Sequence, residues 1–245
     1  MVGDAHLGSA DIRDEEAFHE LLDTVPELGN RLLIMGDLFD FWFEYKAVIP
    51  RRPFRTLTKL AVLREKGIEI EMFGGNHDRW GGTFWAEDLG IPFNPGGSGM
   101  MLGGRQSWVH HGDGLAENKL GGRLIHRITR SRFTIGAFKA LHPDLGFKLV
   151  NRLSGGLADR TPDFMNTAAE AQERYARALL HERPEVQLVV LAHTHRQRLI
   201  EVAPNRFYLN AGQWMVDRHY AVIGAERIWT LSWPQRPEEQ GEKGE

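Results

Sequence analysis

The chain has 245 residues, 42% of them hydrophobic and 26% charged, with a formal net charge of −3 and no cysteine. That length suits one large domain or two small ones, and the composition excludes collagen-like, disordered and coiled-coil classes. Also excluded are a disulfide scaffold, a thiol nucleophile, a Cys-ligated metal site and a polycation that coats nucleic acid.

No apolar run approaches the roughly 20 residues that span a bilayer. Residues 1–16 lack the basic and apolar regions of a signal peptide, so a cytoplasmic location is expected. In chain order, Asp4 and His6 read as the end of a strand with only Met1–Gly3 before them. Strands usually run to about five or six residues, so the natural chain is expected to begin upstream. Phe18, Leu21, Leu22 and Val25 form an apolar stripe at helical spacing. Arg31–Gly36 reads as a strand and Phe54–Lys66 as a helix that Gly67 ends in the left-handed conformation. Ile68–Phe73, Trp108–His110 and Val186–Leu191 read as further strands, the last apolar throughout and so buried on both faces. Between the last two, Thr167-x-x-Glu170 reads as a capping box opening a helix through Ala171, Tyr175 and Leu179. Leu199–Val202, Phe207–Asn210, Tyr220–Ile223 and Ile228–Ser232 read as an antiparallel meander, and 234–245 as a disordered tail. Strand and helix in alternation predict an α/β layered fold, one domain over 1–233.

Five short clusters fall where strand candidates run into loops: Asp4-Ala5-His6, Gly36-Asp37-Leu38-Phe39-Asp40, Gly75-Asn76-His77-Asp78, His110-His111-Gly112-Asp113 and His193-Thr194-His195. Taken singly, each is more often a structural or surface feature. Together they point to a site, because loops at the strand ends of an α/β sheet converge on one edge. Carboxylate, imidazole and amide oxygen without thiolate suit Mn²⁺, Fe²⁺ or Zn²⁺. Two such ions about 3.5–4 Å apart need a bridging carboxylate and activate water for in-line attack on phosphorus. In Asp4-x-His6 and His193-x-His195 the paired side chains share a direction if the backbone is extended.

The order D-x-H, G-D-x-x-D, G-N-H-D, H-G-D, H-T-H resembles the calcineurin-like metallophosphoesterase superfamily from Asp4 to His195. The resemblance implies a four-layer α/β-β-α sandwich. It implies Asp4, His6 and His195 on one metal, Asn76, His111 and His193 on the other, and Asp37 bridging. His77 would contact the substrate phosphate and protonate the leaving oxygen, with Asp78 orienting it. Ala192 stands where that family usually has glycine. Asp40 and Asp113 are read as bonded within their loops or to a ligand, and His110 as packing in its strand. His19, His126, His142, His181 and His219 are read as surface or core residues.

Gly36-Asp37-Leu38-Phe39-Asp40-Phe41-Trp42 further resembles the loop of the UDP-2,3-diacylglucosamine pyrophosphatases of lipid A synthesis. Phe41-Trp42-Phe43 fills core or forms an apolar wall for a substrate. Many of those enzymes carry Arg where this chain has His77. Arg clamps a pyrophosphate, whereas His can also donate a proton. From Lys119 to Arg152 eight basic residues face a single acid, Asp144, interleaved with large apolar side chains such as Leu124, Ile128, Phe133 and Phe138. A helical insertion over about 115–182 would lie on an anionic membrane surface or cover acyl chains, with Asn76, His77, Arg123 and Arg127 on substrate. The expected reaction is therefore hydrolysis of a UDP-linked acylated glucosamine, with two divalent ions, most simply Mn²⁺, peripherally on the inner membrane. A nuclease or nucleotide phosphodiesterase and a non-catalytic scaffold are the alternatives.

Overall fold

Helix α1, Ile12–Leu28, starts where Asp11 accepts from the backbone N–H of Arg13 at 2.9 Å, offsetting one of the orphan donors at a helix start. Its buried stripe, Phe18, Leu21, Leu22 and Val25, faces strand β1, Arg31–Ile34. In this computed structural model residues 1–115, 131–146, 148–149 and 162–240 are described. Helix α2, Phe54–Glu65, packs beside α1 through Leu57, Leu60 and Leu63. Strand β2, Glu69–Phe73, pairs parallel with β1 and with the short β3, Phe93–Asn94. A short helix, α3, Phe84–Glu87, lies between β2 and β3.

A second sheet has the order β4-β5-β6-β8-β7. Its centre, β5 (Arg105–Val109), β6 (Leu188–Leu191) and β8 (Arg206–Asn210), is parallel, and its edges, β4 (Ser98–Leu102) and β7 (Arg198–Ala203), are antiparallel. Alternation along the strands builds three cores. Leu32 and Ile34 point to α1 and α2, whereas Leu33, Met35 and Phe73 meet Leu188, Val190 and Leu209 of the second sheet. On the far face Val189 and Leu191 meet Ala176, Leu179 and Leu180 of α5, Pro162–Glu182. All four residues of β6 are fully buried, each worth roughly 1.5–3 kcal/mol.

Three expectations change. The C-terminal strands are not one meander: β7 and β8 belong to the second sheet, while β9 (His219–Ile223) and β10 (Ile228–Ser232) form a separate two-stranded sheet. Nor does α5 open at Thr167. It begins five residues earlier at Pro162, whose missing N–H suits a first turn, and its buried stripe is Ala168, Gln172, Ala176, Leu179 and Leu180. Residues 234–240 of the expected tail are instead held to the fold, by Arg236 on Glu27 at 2.6 Å and by the Tyr220 hydroxyl donating to the Gln235 carbonyl.

Within the span expected as an insertion, α4, Arg132–Lys139, buries Phe138 among Phe41, Phe43, Tyr45 and Trp80, with the Phe138 and Phe43 ring centres 4.4 Å apart. Trp42 and Phe43 are fully buried core. Among the described residues no helix is long and apolar enough to cross a membrane.

Candidate metal centre

Four of the five clusters follow the C-terminal end of a strand within a few residues. Asp37 comes after β1, Asn76, His77 and Asp78 after β2, His111 after β5, and His193 and His195 after β6. Val2 bridges to Ile34 in parallel and sets Asp4 and His6 beside Asp37. The two loops are then zipped together: Asp4 N–H donates to the Gly36 carbonyl, Ala5 and His6 N–H to that of Asp37, and Leu7 N–H to that of Leu38.

Asp4, His6, Asp37, His193 and His195 all have positive φ, between 45° and 72°. The extended backbone expected for the two x-spaced pairs is therefore absent. Left-handed turns aim the side chains instead, at a cost of order 1–3 kcal/mol each that the surrounding bonds must offset. His193 and His195 consequently serve different groups.

Ligand-type atoms of Asp4, His6 and His195 lie within 4.8 Å of one another, as do those of His6, Asp37 and His77, and those of Asp37, His111 and His193. Asp37 shares two of these groups. Its Oδ2 stands 3.4 Å from His111 Nε2 and 3.9 Å from His6 Nε2, and Asp4 Oδ1 is 3.4 Å from His195 Nε2. The Met35 carbonyl can only accept, so His111 Nδ1, 2.6 Å away, donates and its Nε2 carries the lone pair in the neutral ring. Asp4 Oδ1 and the Nε2 atoms of His6, His111 and His195 are buried without a hydrogen-bond partner. Buried polar atoms are rarely left so, and four converging ones fit a bound cation. Charge agrees. Burial opposes the ionised form of Asp37, yet His111, His77 and His6 hold its carboxyl well below the usual range. Burial opposes the charged form of His111, but Asp37 pushes it up to about 10. The centre therefore calls for positive charge between its carboxylates.

The bonds of Asp78 go to backbone N–H groups. It is fully buried, and its carboxylate accepts from Gly75, Asp37 and Leu38 N–H at 2.8, 3.2 and 2.7 Å. It ties the Asp37 loop to the Asn76 turn, and burial beside Asp37 raises it to about 6. The His77 ring is held by its Nδ1, which donates to the Asp40 carbonyl at 2.6 Å. Gly75 permits the approach of the two loops, since a Cβ there would lie 2.1 Å from Asp37 Oδ1. His110 Nδ1 accepts from Gly112 N–H at 2.7 Å, buried Asp113 pairs with Arg79 at 2.5 Å, and buried His19 meets the Thr56 hydroxyl at 2.9 Å. Asn76 opens the turn that carries His77 and is half-buried. Arg123, Arg127 and His126 lie outside the described residues.

Sequence reasoning missed Gln172 and Asn210, both fully buried. Asn210 Nδ2 donates to the Ala192 carbonyl and the Thr194 hydroxyl, each at 3.2 Å, beneath His193. A polar residue inside the apolar stripe of α5 is the signal that could have found Gln172.

No family model matches the chain. A UDP-2,3-diacylglucosamine hydrolase of Porphyromonas gingivalis is 29% identical over 91% of this chain and 92% of its own length. Proteins of the same name from Histophilus somni and Pseudomonas putida are 23% and 25% identical, over 87% and 82% of this chain and 91% and 88% of theirs. Among solved structures, vacuolar protein sorting 29 of Cryptosporidium parvum aligns with 94% of this chain and 83% of its own at 14% identity and a TM-score of 0.43. Along 91% of its length the chain is similar to a UDP-2,3-diacylglucosamine hydrolase.

Proposed function

We propose that the protein hydrolyses the pyrophosphate bond of UDP-2,3-diacylglucosamine to 2,3-diacylglucosamine 1-phosphate and UMP. One observation carries the chemistry: five clusters, from Asp4 to His195, bring carboxylates and imidazoles to one buried centre. The relatives' shared name carries the substrate.

Asp4, His6 and His195 would hold one divalent ion and Asn76, His111 and His193 a second, with the Asp37 carboxylate available to both. Such ions, with Mn²⁺ as the simplest choice for these donors, would supply charge neutralisation for phosphoryl oxygens and activation of water. His77 faces the same centre, its ring centre 4.6 Å from that of His6. Held through Nδ1 by the Asp40 carbonyl, it presents Nε2 to the phosphoryl group and gives a proton to the leaving phosphate oxygen. That leaving group needs little protonation, so the main work of His77 is charge stabilisation. Asp78 keeps the Asp37 and His77 loops in register. Residues 1–233 act as one domain, a four-layer sandwich with the insertion over about 115–182 as a cap. Arg123 and Arg127 of that cap bind substrate phosphate, and its basic, apolar surface holds the enzyme peripherally on the cytoplasmic face of the inner membrane.

The test is UMP release from UDP-2,3-diacylglucosamine in mixed micelles by Mn²⁺-loaded protein, with His111→Ala as control. Metal-dependent release lost in the control is expected. Cleavage of p-nitrophenyl phosphodiesters without UMP release overturns the substrate, and silence on both substrates with metal bound overturns the enzyme.

A further inference from the structure

The best-connected buried side chain near the centre belongs to none of the motifs. Gln172, on the third turn of α5, is fully buried. Its Nε2 donates to the Gly112 carbonyl at 3.2 Å and to the Ala192 carbonyl at 3.0 Å. Its Oε1 accepts from the Thr194 hydroxyl at 3.1 Å and from Asn210 Nδ2 at 3.4 Å. An amide has two donor hydrogens and an oxygen with two lone pairs, so every capacity of this group is used.

Its partners are telling. Gly112 directly follows His111, Ala192 directly precedes His193, and Thr194 separates His193 from His195. The loops that carry His111 and His193 leave neighbouring parallel strands, β5 and β6, and one backbone bond past the strand ends, from Ala192 N–H to the His111 carbonyl at 2.8 Å, still joins them before they part. Gln172 is the side chain that crosses that gap. The contact is close on the loop side too, since a Cβ on Gly112, whose φ is +110°, would lie 2.3 Å from Gln172 Nε2. Ring centres of His111 and His193 stand 5.1 Å apart.

We infer that Gln172 is the positioning residue of the second metal site, a clamp from the closing helix of the insertion that fixes His111 and His193 at ligand spacing. The inference rests on the two-ion reading above. Groups that orient metal ligands typically cost 10–100-fold in affinity when removed. The site of Asp4, His6 and His195 meets the clamp less directly, through Thr194 and through the His193 N–H that donates to Asp4 Oδ2 at 2.9 Å, so the larger loss falls on the second ion.

The experiment is Mn²⁺ titration by calorimetry of the wild-type chain, Gln172→Leu and Gln172→Glu, with electron paramagnetic resonance on the same samples. Leucine keeps the bulk and removes all four bonds, while glutamate keeps the acceptor and loses both donors. We expect two ions in the wild type. Both variants should retain one ion at near wild-type affinity and bind the other about 10–100-fold more weakly. The exchange-coupled pair signal should give way to that of isolated Mn²⁺. Circular dichroism in chelator first establishes that each variant is folded. Should Gln172→Leu not fold, Thr194→Val, which removes the hydroxyl that bonds Oε1 and Asn210, takes its place, with a smaller loss of the same ion. Variants less stable in chelator but with both affinities and the coupled signal unchanged would make Gln172 purely structural and overturn the proposal. A wild type that binds fewer than two ions would instead overturn the two-ion reading on which it rests.

Discussion

Gly75→Ala is a one-carbon change aimed at the bridging carboxylate. The added methyl would sit 2.1 Å from Asp37 Oδ1, 2.7 Å from its Cγ and 2.6 Å from its backbone nitrogen. Ordinary contact between such atoms is about 3.5–4.0 Å, so more than an ångström of overlap must be relieved. Asp37 has little room to move. It is fully buried, its φ is 49°, and its Oδ1 accepts from His77 N–H at 2.9 Å. Overpacking in a tight core costs roughly 1–3 kcal/mol, and a site held by so many bonds belongs at the upper end, about 3 kcal/mol. For a chain this long each kcal/mol moves the melting point by roughly 2–4 °C, which gives a drop of about 6–12 °C. Displacing Asp37 should also weaken Mn²⁺ binding at both ions, measured by calorimetry. Gly29→Ala is the control, because nothing lies within 4 Å of a Cβ there. A Gly75→Ala protein with the melting point and Mn²⁺ affinity of the wild type would refute the close-approach account of the two loops.

Chelator should lower the melting point in a way that added Mn²⁺ reverses. Ligand at about 100 times its Kd contributes about 2.7 kcal/mol, hence on the order of 5–10 °C, and equal melting points in EDTA and Mn²⁺ would remove the metal reading. His77→Gln should leave Mn²⁺ content intact and slow phosphodiester hydrolysis by about 10²–10⁴-fold for an alkoxide leaving group, the usual range for a proton donor. The loss should be markedly smaller for a pyrophosphate, so equal losses on both substrates would contradict the proton-donor role. Phe138→Ala deletes a ring 5.4 Å from that of Trp80, and Phe→Ala in a packed site costs about 3–5 kcal/mol. Its expected mark is a red shift of tryptophan emission, and an unmoved spectrum would mean that α4 does not dock there.

The clusters were legible because each is a local run of residues whose chemistry is carried by side-chain type. Strand and helix were legible where periodicity was plain, as in the continuous apolar run of β6. Strand β4 was not, since Ser98-Gly99-Met100-Met101-Leu102 carries neither alternation nor β-branching. The holder of the His77 ring was hidden for a different reason: it is a backbone carbonyl, which every residue possesses. The left-handed turns at Asp4, His6, Asp37, His193 and His195 arise from pairing between loops about 30 residues or more apart. Asp and His visit that conformation more often than most non-glycine residues, but too rarely for type alone to announce it. Gln172 reads locally as one polar residue on an amphipathic helix, and its meaning depends on carbonyls 60 and 20 residues away.

The long excursion between the second sheet's β5 and β6 leaves the sheet just after Asp113 and is back on it by Gln172. Both ends are fastened at nearly the same place, Asp113 to Arg79 and Gln172 to the carbonyl of Gly112. The entropy of closing a segment between such roots grows only as the logarithm of its length. Such an attachment lets evolution lengthen, shorten or exchange what lies between the two fasteners while the centre stays in register. One reacting centre could thereby be offered a succession of different substrates.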